Sequence, residues 1–140
     1  MKQYRILIAG AGIGGLTAAS CLMKAGHQVE IHEQAPELGE VGAGIQVSAN
    51  AMHVLRHLGL EQHIRAVGVS PGAYVFRLHA TGEVIQRFSL SEEHEKMHGA
   101  PYTQLHRADL HDLLAARARE LDPNVVRLNH RITRDRKSVV

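Results

Sequence analysis

The stretch from Ile6 to Gly15 reads Ile-Leu-Ile-Ala-Gly-Ala-Gly-Ile-Gly-Gly and decides the fold. An apolar strand runs straight into the pattern Gly10-x-Gly12-x-x-Gly15. The first glycine permits a tight turn, the second lets the backbone approach a pyrophosphate, and the third allows a helix to pack closely. A side chain at Gly12 or Gly15 would also hold phosphates away by its own bulk. Glu33, about 20 residues further on, is placed to accept hydrogen bonds from ribose hydroxyls. The stretch predicts a dinucleotide site.

The residues that follow supply the context that this motif needs. An alanine-rich helix is predicted over residues 16–25, Gly26 ends it, and a second strand is predicted over residues 28–32. The first-turn amides of the helix, which begins near Gly14, lack intrahelical partners, and the helix dipole adds partial positive charge there. We expect the pyrophosphate at this helix start. Glu33 disfavours NADP, because its charge would meet a 2′-phosphate.

The composition argues against several other classes of protein. The chain has 140 residues, enough for one domain at most, and a net charge of +2 with no basic run, so we expect no nucleic-acid partner. Apolar runs are too short to span a bilayer, so no membrane partner is expected either. The single cysteine, Cys21, cannot form an internal disulfide, which favours the cytoplasm. His53 and His57 lie one helical turn apart without an evident third ligand, so we expect no metal.

Beyond Glu33 the chain predicts both helices and strands. Residues 34–47, rich in Pro and Gly, predict an irregular loop, and the charged residues 89–100 predict a mobile surface connection. Residues 74–78 and 84–88 predict an antiparallel hairpin, which begins a second, sheet-like layer. The other predicted elements are a helix over 51–58 capped by Ser48 or Asn50 and ended by Gly59, an amphipathic segment over 60–67, a helix over 110–121, and strands over 125–128 and 131–133.

Three stretches together resemble a known family. They are the glycine motif with Glu33, the run Val-Gly-Ala-Gly-Ile-Gln-Val-Ser-Ala-Asn over 41–50, and the run His-Arg-Ala-Asp-Leu over 106–110. They resemble the class A flavoprotein monooxygenases, which are FAD-dependent aromatic hydroxylases, and most of all the salicylate hydroxylase, 3-hydroxybenzoate 6-hydroxylase and 6-hydroxynicotinate 3-monooxygenase branch. The resemblance implies an α/β, Rossmann-like FAD-binding fold of the glutathione-reductase type, incomplete, with the start of a β-sheet substrate layer.

The resemblance also implies a set of cofactor-binding residues. Arg107 would reach FAD from a helix start, where a cation is unfavourable unless an anion is near; the alternative is a solvated helix-end arginine. Val47 would lie in a loop against the flavin, and Ile132 would touch the adenine through its backbone. The full set is Gly10, Gly12, Ile13, Gly14, Gly15, Glu33, Gln34, Val47, Arg107 and Ile132.

Gln46 is the one candidate near the substrate. It stands where the hydroxynicotinate branch carries a histidine, so the resemblance favours a phenolic acid over a hydroxypyridine; the alternative is a polar loop residue facing water. The catalytic residues cannot be named from this sequence. The implied reaction uses NAD(P)H as co-substrate and O2, and the sequence has no second Gly-x-Gly-x-x-Gly for a nicotinamide nucleotide. Alternatives are another FAD-dependent oxidoreductase, such as a urate-type hydroxylase or an oxidase, and a non-catalytic nucleotide-binding fragment.

The domain prediction follows from motifs that the family has later in its sequences. Its later Asp-Gly and Gly-Asp stretches are not in this sequence, so we expect residues 1–134 to be a partial FAD-binding domain, the N-terminal part of a longer enzyme and inactive alone. Residues 135–140 read Asp-Arg-Lys-Ser-Val-Val, the translation of a common sequencing adapter. We expect them to be a non-native tail.

Overall fold

The computed structural model describes residues 2–39 and 42–134, and the predicted tail lies outside them. The elements in chain order are β1 (Arg5–Ala9), α1 (Ile13–Lys24), β2 (Gln28–His32), β3 (Gly44–Val47), α2 (Ala49–His57), α3 (Glu61–Val67), β4 (Ala73–Arg77), β5 (Val84–Ser89), α4 (Glu92–His98), β6 (Thr103–His106), α5 (Arg107–Leu121) and β7 (Val126–Arg127). They form two compact units. The first contains the described residues of Met1–Val41 and Leu110–Val140, and the second is Gly42–Asp109.

The first unit is built on a parallel sheet with strand order β1-β2-β7. Ile8 pairs with Ile31 in register, and α1 connects the two strands as a β-α-β crossover. The strand, turn, helix and strand predicted from the opening motif are confirmed, with β2 at the predicted bounds. Buried apolar side chains come from α1, β2 and α5 and include Leu16, Ala19, Val29, Ile31, Leu110, Leu114 and Ala118.

The second unit contains two short antiparallel sheets, β3-β6 and β4-β5. Met52, Leu55 and Leu58 are buried on one face of α2, as their helical spacing predicts. Gly59 follows that helix with a φ of +81°, a conformation that favours glycine. Ser48 is the N-cap residue of α2, and its hydroxyl contacts the Asn50 side chain.

The predicted hairpin is confirmed as β4 and β5. Ala73 and Tyr74, at the start of β4, are half-buried, whereas the rest of that strand and every residue of β5 are exposed. Among the residues that the structure describes, neither strand pairs with a third strand. The exposed side chains include Val75, Phe76, Val84, Ile85 and Phe88.

Three sequence predictions are wrong. The predicted loop over 34–47 ends in a strand, β3, because Ile45 and Val47 alternate with a polar residue and pair with β6. The predicted mobile connection over 89–100 contains α4, with acidic residues in its first turn and Gly99 closing it in the left-handed conformation. Residues 131–133 are not a strand, since β7 ends at Arg127 and the segment after it is exposed.

Candidate functional site

The glycine motif forms the turn between β1 and α1. Gly10 has a φ of +93°, which other residues rarely adopt, and its N–H donates to the carbonyl oxygen of His32 at 2.8 Å. The turn is therefore tied to the end of β2, one residue before Glu33. The first glycine has the tight-turn role that the motif predicts.

Gly15 has a packing role. A Cβ at Gly15 would lie 2.1 Å from the carbonyl oxygen of Gly10 and 3.4 Å from Cγ2 of Ile8. Backbone occupies the space in which a side chain would have to fit, so the absent Cβ lets α1 approach the turn. Of the two roles that the sequence suggested for Gly15, this geometry supports helix packing and gives no support to phosphate exclusion.

Gly12 and Gly14 border open space. Apart from the adjacent residues and the backbone of α1 itself, a Cβ at either residue would have no atom of residues 2–39 and 42–134 within 4 Å. Gly12 is the N-cap of α1, and within the described chain no side chain caps that helix end. The helix begins with Ile13, Gly14 and Gly15, none of which is acidic. An unobstructed, uncapped helix start of this kind suits an anion, since both the first-turn N–H groups and the helix dipole attract negative charge.

Glu33 joins this turn to the segment after β2. One carboxylate oxygen, Oε2, accepts the N–H of Ala11 at 2.8 Å, and the other, Oε1, accepts the N–H of Ala35 at 2.9 Å. These two hydrogen bonds, that of Ala11 first, lower the pKa of Glu33 below its usual value and keep it a carboxylate at neutral pH. Sequence reasoning missed this backbone role. Each carboxylate oxygen has a second lone pair, so Glu33 retains the capacity to accept from a ribose hydroxyl.

Two depressions in the first unit are both lined by Glu33. One, of about 190 Å³, is also lined by Gly10, Gln34 and Ile132. The other, of about 130 Å³, is also lined by Gly12. The structure thus brings together Gly10, Gly12, Glu33, Gln34 and Ile132 as the sequence predicts, although Ile132 lies in an irregular segment and not in a strand.

That irregular segment is anchored to the residues around Glu33. The N–H of His130 donates to the carbonyl oxygen of Glu33 at 2.8 Å, and the N–H of Asn129 donates to that of Ala35 at 3.0 Å. His130 and Arg131 line the larger depression with Ile132. Backbone hydrogen bonds therefore hold this wall of the depression without strand pairing.

Val47 and Gln46, the other candidates on β3, belong to the second unit. Val47 is the last residue of the strand and its side chain is buried. Gln46 is exposed, and its Nε2 donates to the hydroxyl of Tyr74 at 2.9 Å. The ring of Tyr102 meets that of Tyr74 edge to face, with centroids 6.2 Å apart. Burial, and then the neighbouring Tyr74, raise the pKa of Tyr102, so the Tyr102 hydroxyl is neutral at pH 7.

Tyr74 and Tyr102 were missed in the sequence. Tyr74 was assigned only to a hairpin strand, and its hydrogen bond to Gln46 joins two strands whose spatial relation no local pattern encodes. We name Gln46, Tyr74 and Tyr102 the glutamine–tyrosine cluster.

Arg107 begins α5 and is half-buried. Its N–H donates to the carbonyl oxygen of Ala43 at 3.1 Å. A Cβ at Gly42 would lie 2.9 Å from Cδ of Arg107, so the glycine leaves room for the arginine stem. This contact places the arginine stem against the backbone of Gly42.

Two features are absent from the described part of the chain. None of its helices is long and apolar enough to cross a membrane. It also contains no group of three or more His, Cys, Asp or Glu side chains arranged to hold a metal ion.

The β-α-β unit with its open, glycine-lined helix start defines a Rossmann-like nucleotide-binding α/β protein. The chain belongs to the FAD binding domain family, whose model matches residues 3–139. This match confirms the predicted fold class and FAD as the cofactor of the family.

Proteins with similar sequences belong to the family that the sequence motifs resemble. The chain is 42% identical over 134 residues to 3-amino-4-hydroxybenzoate 2-monooxygenase of Streptomyces cremeus, covering 93% of this chain and 34% of that protein. It is 45% identical over 109 residues to 3-hydroxybenzoate 6-hydroxylase 1 of Aquipseudomonas alcaligenes, and this match covers 78% of this chain and 28% of that protein. The chain therefore spans about a third of the length of these curated relatives.

A solved structure shows the same arrangement of elements. The tetrameric form of 2-methyl-3-hydroxypyridine-5-carboxylic acid oxygenase matches with a TM-score of 0.76 and 32% identity. The match covers 92% of this chain and 32% of that one. The predicted fold, incomplete relative to such enzymes, is confirmed.

Proposed function

We propose that this chain is the FAD-binding part of a longer monooxygenase that hydroxylates a small phenolic acid with NAD(P)H and O2. The observation that carries the proposal is the open space at Gly12 and Gly14 in front of the uncapped start of α1, with the Glu33 carboxylate beside it. The aromatic acids in the names of the relatives support the substrate class.

The residues of the first unit fit the ADP half of FAD. The N–H groups at the start of α1 would hold the pyrophosphate, because they lack intrahelical partners and the space beside Gly12 and Gly14 is open. Glu33 would accept from the ribose hydroxyls through lone pairs that Ala11 and Ala35 leave unused. Gln34 and Ile132 line the larger depression, which we assign to the adenine end.

When bound, FAD supplies the redox chemistry, passing electrons from NAD(P)H to O2, and the protein supplies position and electrostatics. Val47 and Arg107 remain predicted FAD contacts on the strength of the family resemblance.

The glutamine–tyrosine cluster supports a neutral mode of substrate recognition. Gln46 offers an uncharged amide 2.9 Å from the hydroxyl of Tyr74, and the raised pKa of Tyr102 keeps the Tyr102 phenol neutral at pH 7. A phenolic hydroxyl suits such a surface. We therefore retain Gln46 as the substrate-proximal residue and a phenolic acid as the substrate.

The first test measures FAD binding by this 140-residue chain. Titration followed by flavin fluorescence is expected to show saturable binding, with no binding by Gly12→Val, the matched control for the open helix start. Equal fluorescence changes with the parent and the valine variant would refute the site.

The second test measures chemistry in a longer chain that carries this domain. Oxygen uptake and product chromatography with 3-hydroxybenzoate, with uric acid and without substrate separate the alternatives. NAD(P)H-dependent formation of a hydroxylated acid supports the proposal. Turnover of uric acid alone identifies a urate-type hydroxylase, and peroxide without hydroxylated product identifies an oxidase. We expect no product from the 140-residue chain alone, since a reactive flavin site must exclude water on all sides.

A further inference from the structure

His111 is a buried histidine that lies next to the glycine motif. It is on α5, its exposed fraction is 2%, and its Nε2 lies 2.8 Å from the carbonyl oxygen of Ala11, 100 residues away in sequence. Ala11, between the first two glycines of the motif, is buried to the same extent. Both residues line the smaller depression together with Glu33.

The backbone of Ala11 is therefore held on both sides. Its N–H donates to Oε2 of Glu33 at 2.8 Å, and its carbonyl oxygen receives a hydrogen bond from His111. A trans peptide directs the C=O of one residue and the N–H of the next to opposite sides. A hydrogen bond that draws the Ala11 oxygen toward α5 thus turns the Gly12 N–H away from α5.

The tautomer of His111 follows from the same contacts. A carbonyl oxygen only accepts, so Nε2 must carry the proton in this hydrogen bond. Nδ1 is buried and has no hydrogen-bond partner among the described residues; the nearest carboxylate oxygen, of Asp112, is 4.0 Å away. The neutral tautomer that fits these contacts therefore carries its proton on Nε2 and leaves Nδ1 as an acceptor.

We propose that His111 is a positioning residue for the dinucleotide. By holding the Ala11 carbonyl, His111 keeps a partial negative charge away from the pyrophosphate and presents the Gly12 N–H to it. The proposal rests on FAD binding at the start of α1, and it adds a residue outside the glycine motif that sets the orientation of one of its peptides.

Two substitutions separate the donor from the bulk of the ring. His111→Phe keeps an aromatic ring and removes the donor, whereas His111→Gln keeps an N–H donor near the position of Nε2. Asp112→Asn, the neighbouring exposed side chain, is the control. Each variant of the 140-residue chain is examined by 15N NMR and by titration with FAD, with thermal unfolding recorded beside them.

The NMR measurement tests positioning without FAD. In the parent chain, the imidazole 15N signals are expected to show a protonated Nε2 and an unprotonated Nδ1. His111→Phe should shift the Gly12 amide signal, and both His111→Gln and Asp112→Asn should leave it near its parent position. An imidazole without a proton on Nε2, or a Gly12 signal unmoved in His111→Phe, overturns the proposal.

The titration tests the consequence for binding. His111→Phe should weaken FAD binding by about tenfold, the effect of one lost hydrogen bond, and His111→Gln should recover most of it. Equal affinity of the parent and His111→Phe overturns the proposal. If the parent binds no FAD while the NMR results are as expected, the proposed cofactor function fails and the orientation of the Ala11 peptide by His111 stands. If His111→Phe does not fold, the parent tautomer and the glutamine variant decide the outcome.

Discussion

Gly14 and Gly15 stand side by side in the first turn of α1 and give a matched pair of substitutions. Gly14→Ala places its Cβ in open space, so it gains only the helix preference of alanine, about 1 kcal/mol. Gly15→Ala gains the same preference but places its Cβ 2.1 Å from the backbone oxygen of Gly10. Backbone cannot rotate away as a side chain does, so we expect a net loss of about 2–4 kcal/mol, at or above the upper end of ordinary overpacking.

Thermal unfolding of the FAD-free chain measures the difference. With about 3 °C per kcal/mol for a chain of this size, Gly14→Ala should raise Tm by about 3 °C and Gly15→Ala should lower it by about 6–12 °C. FAD is left out because a bound ligand would add its own stabilisation. A Gly15→Ala chain that melts at or above the temperature of Gly14→Ala would refute the close approach of α1 to the turn.

Three further changes test the site and the charges around it. Gly12→Val should leave Tm within about 2 °C of the parent and yield protein without flavin absorbance after gel filtration with FAD, because its side chain enters open space next to the helix start. Glu33→Gln should lower the free energy of unfolding at pH 7 by about 1–3 kcal/mol. The variant replaces one carboxylate oxygen with an NH2 group, which cannot accept the hydrogen bond from the N–H of Ala11 or of Ala35. The lowered pKa of Glu33 means that the parent holds this contribution above about pH 4.5 and loses it on further acidification, so urea unfolding of the two chains should converge in acid. Hydrogen bonds from Arg56 first, and from Arg65, lower the pKa of Glu61 from 4.5 to about 2. Glu61→Gln should therefore lower the free energy of unfolding at pH 7 by about 1–3 kcal/mol, and the parent should lose this advantage as the pH falls from 4.5 to 2. If the stability of the variant depends on acid pH as that of the parent does, the ion pairs do not contribute as we expect.

The opening β-α-β unit was predictable because its signals are local. Gly10, Gly26 and the apolar run between them specify a turn, a helix and its end within about 20 residues. Gly59 and the buried face of α2 were predictable for the same reason. Short-range patterns of this kind do not depend on where the rest of the chain lies.

The missed elements depend on distant partners or on signals given too little weight. The alternation of Ile45 and Val47 with a polar residue is too short to indicate β3 without its pairing with β6, so Gly44 and its neighbours resembled a loop in isolation. The sequence Ser91, Glu92, Glu93 with Gly99 after it carried capping and dipole signals for α4, but its high charge suggested a surface connection. Residues 131–133 have strand-like composition but no strand partner within the described chain.

The candidate site divides in the same way. Its glycines and Glu33 were predictable from the motif. The hydrogen bond from His111 to Ala11 joins residues 100 positions apart, so no local sequence pattern predicts it. The link from Gln46 to Tyr74 is likewise a product of tertiary structure. The sequence motif predicts residues that bind a ligand, but it does not predict the residues that orient them.

The uneven burial of the β4-β5 hairpin has a consequence for its dynamics. Only the end with Ala73 and Tyr74 is packed, and a two-stranded hairpin is marginally stable without such packing. Opening should begin at the turn around Gly82 and proceed toward Ala73. Amide hydrogens near the turn would then exchange with solvent through small local openings, while those of β2, which pairs with both β1 and β7, would exchange only through much larger openings of the first unit. Within the hairpin, this turn is also where a protease should cut first.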